Sequence, residues 1–427
     1  MTHSQAHFRH QVSSLLDVTS LLEPALVNRW KRGAKSILLC IRSDHILESN
    51  VARYLLELLE TINALEGLEK FQLIIRGQRS RLRTSVLAAI VEKAKKMTTL
   101  EISNAFILVD CPNSDECNRA LRQHGTLDSM ALLDCQPARR DGIATSLLPL
   151  ISSLAENQVL TNLVIDSKVL QGDNEEITRA LAELGRSSLR TFKLCNCREH
   201  GLAEDNLLPM LRQLHTNQVM SELCLYDESP TQGRSGATIS AAVAEMLGTN
   251  SKLESVLLSV QPTNVPPIIE ALRTNTTMKR IRLHAQHQSC FKTVMENLAR
   301  VLRDDNFVLE QCQLGAGGPI TSSNVIEYFL TLNRLGRNFL LTNHEATTDD
   351  WVKTVCSHQE RTDVVMYFLL KNPSLIDQTI SSQGLVSESD HMANAQQPQA
   401  KSNQGRVVVT SQSEFAVFTE RNKRQKH

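Results

Sequence analysis

One short pattern recurs along this chain and limits what it can fold into. An apolar residue is followed by two arbitrary residues, an apolar one, one arbitrary one and a third apolar one. Ten copies are Ala34/Ile37/Leu39, Leu68/Phe71/Leu73, Met97/Leu100/Ile102, Leu127/Met130/Leu132, Leu160/Leu163/Ile165, Leu189/Phe192/Leu194, Met220/Leu223/Leu225, Leu253/Val256/Leu258, Met278/Ile281/Leu283 and Leu309/Cys312/Leu314. Their starts lie 25–34 residues apart. A period of this length marks a solenoid, in which each unit buries its apolar face only against its neighbours.

Within a copy, the last two apolar positions are two residues apart and share one face of a short strand. Between copies the apolar spacing changes to that of a helix, as in Leu147/Ile151/Leu154, Ile177/Leu181/Leu184, Leu207/Leu211/Leu214, Ile239/Val243/Met246, Ile269/Leu272 and Val294/Leu298/Val301. Strand followed by helix, repeated, requires parallel strands and predicts an α/β horseshoe of about ten units. Asn157, Asn217, Asn250, Asn275 and Asn306 each stand three residues before a strand pattern. Asparagine tolerates the left-handed conformation that ends a helix, so these residues are expected to turn the chain from helix into strand. Gly125 and Gly185 stand near the same place in copies without the Asn.

These residues resemble the ribonuclease-inhibitor-like subfamily of leucine-rich repeats over roughly residues 34–332. The resemblance implies a full helix on the convex side and a concave sheet, and a role in protein binding rather than catalysis. The family also places an Asn or Cys just after the strand, which ties adjacent turns together. Only Cys135 and Cys197 match here, while Lys168, Glu228, Gln261 and Gln286 stand elsewhere.

The expected boundaries are a helical N-terminal cap over 1–33, repeats over 34–332, a helical C-terminal cap over 333–376 and a disordered tail over 377–427. In the C-terminal cap, Asp349/Asp350 and Thr362/Asp363 signal two helix starts, and Asn372-Pro373 a stop. The tail is rich in Ser, Gln, Asn and Lys and poor in core formers. Arg406–Val409 and Phe415–Phe418 are short apolar islands within it.

Lys+Arg and Asp+Glu both number 46, so the formal net charge is zero. Such neutrality argues against a sequence-independent grip on nucleic acid. The ten cysteines form no framework and read as reduced thiols of an intracellular protein. The first residues have no apolar core of a secretory signal, and no run approaches the roughly 20 apolar residues that span a bilayer. The expected compartment is the cytoplasm, with Arg421–Lys426 a candidate nuclear signal.

Two motifs invite chemistry and fail on inspection. Gly315–Gly318 precedes Thr321, Ser322 and Ser323, but no Lys completes a phosphate-binding loop. Cys195, Cys197 and His200 form C-x-C-x-x-H, yet the frame sends the two thiols apart and a fourth ligand is missing. No cofactor, metal, membrane or small-molecule substrate is therefore expected.

The alternate strand positions face the other way, onto the concave surface. They read Lys70/Gln72/Ile74, Thr99/Glu101/Ser103, Ser129/Ala131/Leu133, Asn162/Val164/Asp166, Thr191/Lys193/Cys195, Glu222/Cys224/Tyr226, Ser255/Leu257/Ser259 and Arg280/Arg282/His284. Most are small or mildly apolar. Arg280, Arg282 and His284 stand out, with Tyr226, Glu222 and Lys193 two and three strands away. Tyr beside Arg is a common make-up of an interface hot spot. The expected function is a scaffold or adaptor that binds an acidic protein segment on this face. The alternative is a regulator of a small GTPase, since one activator family is similar in shape, although the acidic C-terminal stretch of that family is missing.

Overall fold

The computed structural model describes residues 6–12, 28, 30–31, 34–42, 49–110, 114–140, 143–144, 146–196, 202–226, 237–284, 291–315, 324–343 and 345–376. They divide between two units, residues 1–360 and 361–427.

In the first unit the strands are β1 (Ala6–Val12), β2 (Ala34–Arg42), β3 (Lys70–Arg83), β4 (Met97–Leu108), β5 (Ser129–Leu133) and β6 (Gln136–Pro137). Then come β7 (Arg139–Arg140), β8 (Ile143–Ala144), β9 (Asn162–Asp166), β10 (Thr191–Cys195), β11 (Glu222–Tyr226), β12 (Ser255–Ser259), β13 (Arg280–His284) and β14 (Gln311–Leu314). Twelve of them form one open sheet in chain order, with β6 added beside β4, while β7 and β8 pair separately. Every pairing in the large sheet is parallel.

The intervening helices are α1 (Ser49–Asn63), α2 (Thr84–Lys93), α3 (Ser114–Gln123), α4 (Leu148–Glu156), α5 (Asn174–Arg186), α6 (Glu204–Leu214), α7 (Ala237–Thr249), α8 (Val265–Ala271) and α9 (Phe291–Asp304). After β14 follow α10 (Asn324–Arg334), α11 (Arg337–Thr342) and α12 (Thr348–Ser357). A strand order that never reverses, with parallel connections that are right-handed as a rule, puts the returning helices on one face of the sheet. Among the described residues, no helix covers the other face. β10 and β12 alternate half-buried and buried residues from end to end, as a sheet covered on one side must. Among the described residues, no helix is long and apolar enough to cross a membrane.

Side-chain caps open α5 and α12. In α5 the Asp173 side chain accepts from the Glu175 N–H at 3.1 Å, Glu175 and Glu176 fill the first turn, and Arg186 sits in the last. In α12, Thr347 and Asp350 form a reciprocal capping box. The expected helix start at Asp349/Asp350 thus falls two residues earlier, at Thr347. In the second unit, α13 (Thr362–Lys371) buries Val364 and Phe368 and ends at Asn372.

The first two repeats run in a different frame from that expected. Phe71 pairs with Met97 and Leu73 with Leu100, so β3 is displaced by two residues from the sequence alignment. Leu39 pairs with Leu73 and Ile41 with Ile75, which carries the displacement into β2. The true counterparts of Leu100/Ile102 are Leu73/Ile75 and Leu39/Ile41. A slip of two leaves every side chain on its own face, so the apolar pattern alone does not reveal it. The first described element is a strand, β1, inside the stretch expected to be a helical cap; residues 1–5, 13–27, 29 and 32–33 lie outside the described residues.

The recurrent asparagines do not use the left-handed conformation. Asn157 is extended, with φ −70° and ψ 118°. Among the described residues, the non-glycine residues with positive φ are Asn104, inside β4, and Asp134 and Asn196, each just past a strand. The buried Asn side chains instead clamp adjacent repeats. Asn157 Nδ2 donates to the carbonyls of Leu121 and His124 at 2.6 and 3.2 Å, in the repeat before. Its Oδ1 accepts from the N–H groups of Val159 and Leu160 at 2.8 and 2.9 Å, opening the next strand. Asn217, Asn250 and Asn306 repeat all four bonds, and Asn275 three of them. A primary amide suits this place because it carries two donors and a two-lone-pair acceptor.

Gly185 serves packing, not a turn. It lies inside α5, and a Cβ there would come 2.8 Å from the Met210 carbonyl oxygen of α6. Alanine would gain about 1 kcal/mol of helix propensity. The clash is with backbone, which yields little, and overpacking costs about 1–3 kcal/mol. Gly185→Ala is therefore expected to lower the urea midpoint; a raised midpoint would show that α5 and α6 separate freely.

Candidate protein-interaction face

The open face of β10–β13 gathers all six residues marked out by the sequence. Thr191 pairs with Glu222 and Lys193 with Cys224. Glu222 pairs with Ser255 and Cys224 with Leu257. Ser255, Leu257 and Ser259 then pair with Arg280, Arg282 and His284. Parallel strands stand about 4.8 Å apart, so each row is a continuous line of neighbouring side chains.

Side-chain contacts between neighbouring strands run along this surface. Lys193 Nζ and Glu222 Oε1 form an ion pair at 3.2 Å, so those charges largely cancel. Tyr226 and His284 meet ring to ring across β12, with centroids 5.4 Å apart and planes inclined by 59°. Ser259, the register partner of His284 on the intervening strand, is small. The backbone beneath is fixed by Asn196, whose left-handed N–H donates to the Tyr226 carbonyl at 2.7 Å. The Asn196 side chain donates to buried Asp166 at 2.7 Å.

On β13 the pattern is exposed, buried, half-buried, buried, half-buried from Arg280 to His284. Arg280 is the exposed member, and Arg282 lies half-buried between Leu257 and Gln313. The period-two rule extends the surface to Gln311 and Gln313 on β14, which the sequence reading did not include. The face is thus a cationic strand bordered by an aromatic pair and by neutral amides.

The sulfur chemistry is quiet. Burial pushes the Cys135 and Cys224 thiols up to about 12, so both stay protonated at neutral pH. Cys135 ties adjacent turns, as the family resemblance implies, by donating to the Ile102 carbonyl at 3.3 Å. Lys168, where the family has Asn or Cys, pairs with Asp134 of the previous repeat. Cys195 ends β10 half-buried, while Cys197 and His200 lie outside the described residues. Gly315 has φ 121°, a conformation that requires glycine, and residues 316–323 lie outside the described residues. No group of three or more metal-ligating side chains occurs among the described residues.

A parallel sheet with helices returning between successive strands defines a repeating α/β protein, compatible with a leucine-rich-repeat-like fold. No protein-family model matches the chain, and no curated protein does. Among solved structures it is similar to "Leiomodin-1 Actin-Binding Site 2 (ABS2)", at 19% identity and a TM-score of 0.32. That match covers 41% of this chain and 99% of the other.

Proposed function

We propose that this protein is a non-catalytic interaction scaffold. In this reading it is a leucine-rich-repeat horseshoe of the ribonuclease-inhibitor-like kind, and its concave face binds an acidic segment of a protein partner. The observation that supports it most is the grouping of Arg280 and Arg282 beside the Tyr226–His284 ring pair on one sheet face. Arginine offers a flat, two-pronged donor set to carboxylates, and a pair of aromatic rings in tilted contact gives a rigid apolar surface. Lys193 and Glu222, already paired, would serve as the rim that fixes register rather than as the source of affinity.

The test is affinity purification with mass spectrometry, comparing wild type with Arg280→Glu/Arg282→Glu. Both positions face away from the helices, so the variant is expected to keep the wild-type circular dichroism and unfolding midpoint. Reversing both charges is expected to weaken the complex at least tenfold, or about 1.4 kcal/mol. Equal recovery of every partner by the two proteins would overturn this reading.

A further inference from the structure

The joint before β5 is built on a titratable side chain. Where five later repeats place Asn three residues before the strand pattern, the repeat that opens β5 places His124. Its imidazole copies the amide. Nε2 lies 3.1 Å from the Ala94 carbonyl of the previous repeat. Nδ1 accepts from the N–H groups of Leu127 and Thr126 at 3.1 and 3.4 Å. These partners fix the tautomer, because a nitrogen that faces two N–H groups must be bare, and the other then carries the proton.

We propose that His124 makes this joint a proton-sensitive hinge, closed while the imidazole is neutral and loosened when it is protonated. A proton on Nδ1 turns the acceptor into a donor pointed at two other donors. Both bonds that open β5 are lost together, and a buried cation is left among backbone N–H groups. Asparagine carries no such proton, so the joints at Asn157, Asn217, Asn250, Asn275 and Asn306 do not respond in this way.

The surroundings favour the neutral form. The ring is buried, and burial holds its pKa below the usual 6.5. A cavity of about 360 Å³ beside it is lined by Glu92 of α2, Lys95 just after α2, and Arg119 of α3, the helix that ends just before His124. From α4, Glu156 is occupied by Arg122 at 2.6 Å. Two cations against one free carboxylate add no help to an imidazolium, while the cavity brings solvent protons to the ring. With the folded pKa depressed, the contribution of His124 to stability is full above pH 6.5. It is lost as the pH falls from there towards the folded pKa.

The experiment is amide hydrogen exchange on the full chain at pH 7.5 and 5.5, corrected for intrinsic rates, for wild type and His124→Asn. Protection at Leu127 and through β5 is expected to fall about tenfold more on acidification in wild type than in the variant. The same response in both proteins would overturn the proposal. A second readout needs no variant: the His124 Cε1 resonance of wild type followed with pH. Titration below 6.5, in step with the Leu127 amide, supports the hinge, and titration at or above 6.5 excludes it.

Discussion

Asn250→Ala is expected to destabilise the protein by about 3–4 kcal/mol, far more than the loss of one small polar side chain suggests. The Asn250 amide makes four bonds in a buried place. Nδ2 donates to the carbonyls of Leu214 and Asn217 at 2.5 and 3.1 Å. Oδ1 accepts from the N–H groups of Lys252 and Leu253 at 2.8 and 2.7 Å. Alanine would leave two carbonyls and two N–H groups without these partners, at about 1–3 kcal/mol for each group that water does not reach. Urea unfolding measures the effect. Asn250→Asp sharpens it, because a carboxylate there would face two carbonyl oxygens. Burial and that repulsion would raise its folded pKa above the unfolded value. Relative to wild type, the Asp variant is then expected to be weakest at neutral pH and to recover as the pH falls and the acid becomes a donor. A difference below about 1 kcal/mol for Asn250→Ala would mean that the repeats cohere through apolar packing alone.

Arg337→Met is expected to cost a similar amount, about 3–4 kcal/mol, at the other end of the repeats. Arg337 opens α11 after Gly336, whose φ of 94° turns the chain sharply out of α10. The side chain is fully buried, which for an arginine demands partners for its charge. Its two terminal nitrogens donate to the carbonyls of Leu302 and Arg303 at 2.6 and 2.5 Å. Those are carbonyls of the last turn of α9, where the helix dipole favours a cation. The guanidinium also lies over the rings of Phe307 and Phe329, 4.2 and 5.2 Å from their centroids. Methionine fills much of the space and supplies none of these bonds. Arg337→Lys keeps the charge and loses the two-pronged geometry, so it should fall between Met and wild type. Calorimetry of the three proteins gives the order directly. A Met variant as stable as wild type would show that α9 ends without needing the guanidinium.

Strand and helix alternation was legible because each depends on a period along the chain, and the period is visible without knowing what the chain packs against. The same rule put Arg280, Arg282 and His284 on one face, as the alternating burial of β13 has it. Rows of like function were harder to read. The displacement of β2 and β3 keeps the period and changes only the partner, and pairing is a relation between segments. The Tyr226–His284 contact and the Lys193–Glu222 pair are of this kind, since each joins residues from different repeats.

The asparagines show the same division within one residue. Their recurrence three places before a strand was plain in the sequence, and a left-handed turn was the best local explanation. The tertiary structure gives another, because Nδ2 reaches carbonyls 28–36 residues earlier in the chain. His124 and Arg337 carried no sequence signal at all: neither looks like an Asn, and each takes up a hand-hold that only the neighbouring repeat creates. The amino-acid order by itself determined which elements form and which way their side chains face, because bond geometry acts within a few residues. Which carbonyl each buried donor finds was decided only when the repeats stacked, because a hydrogen bond reads distance in space and not distance along the chain.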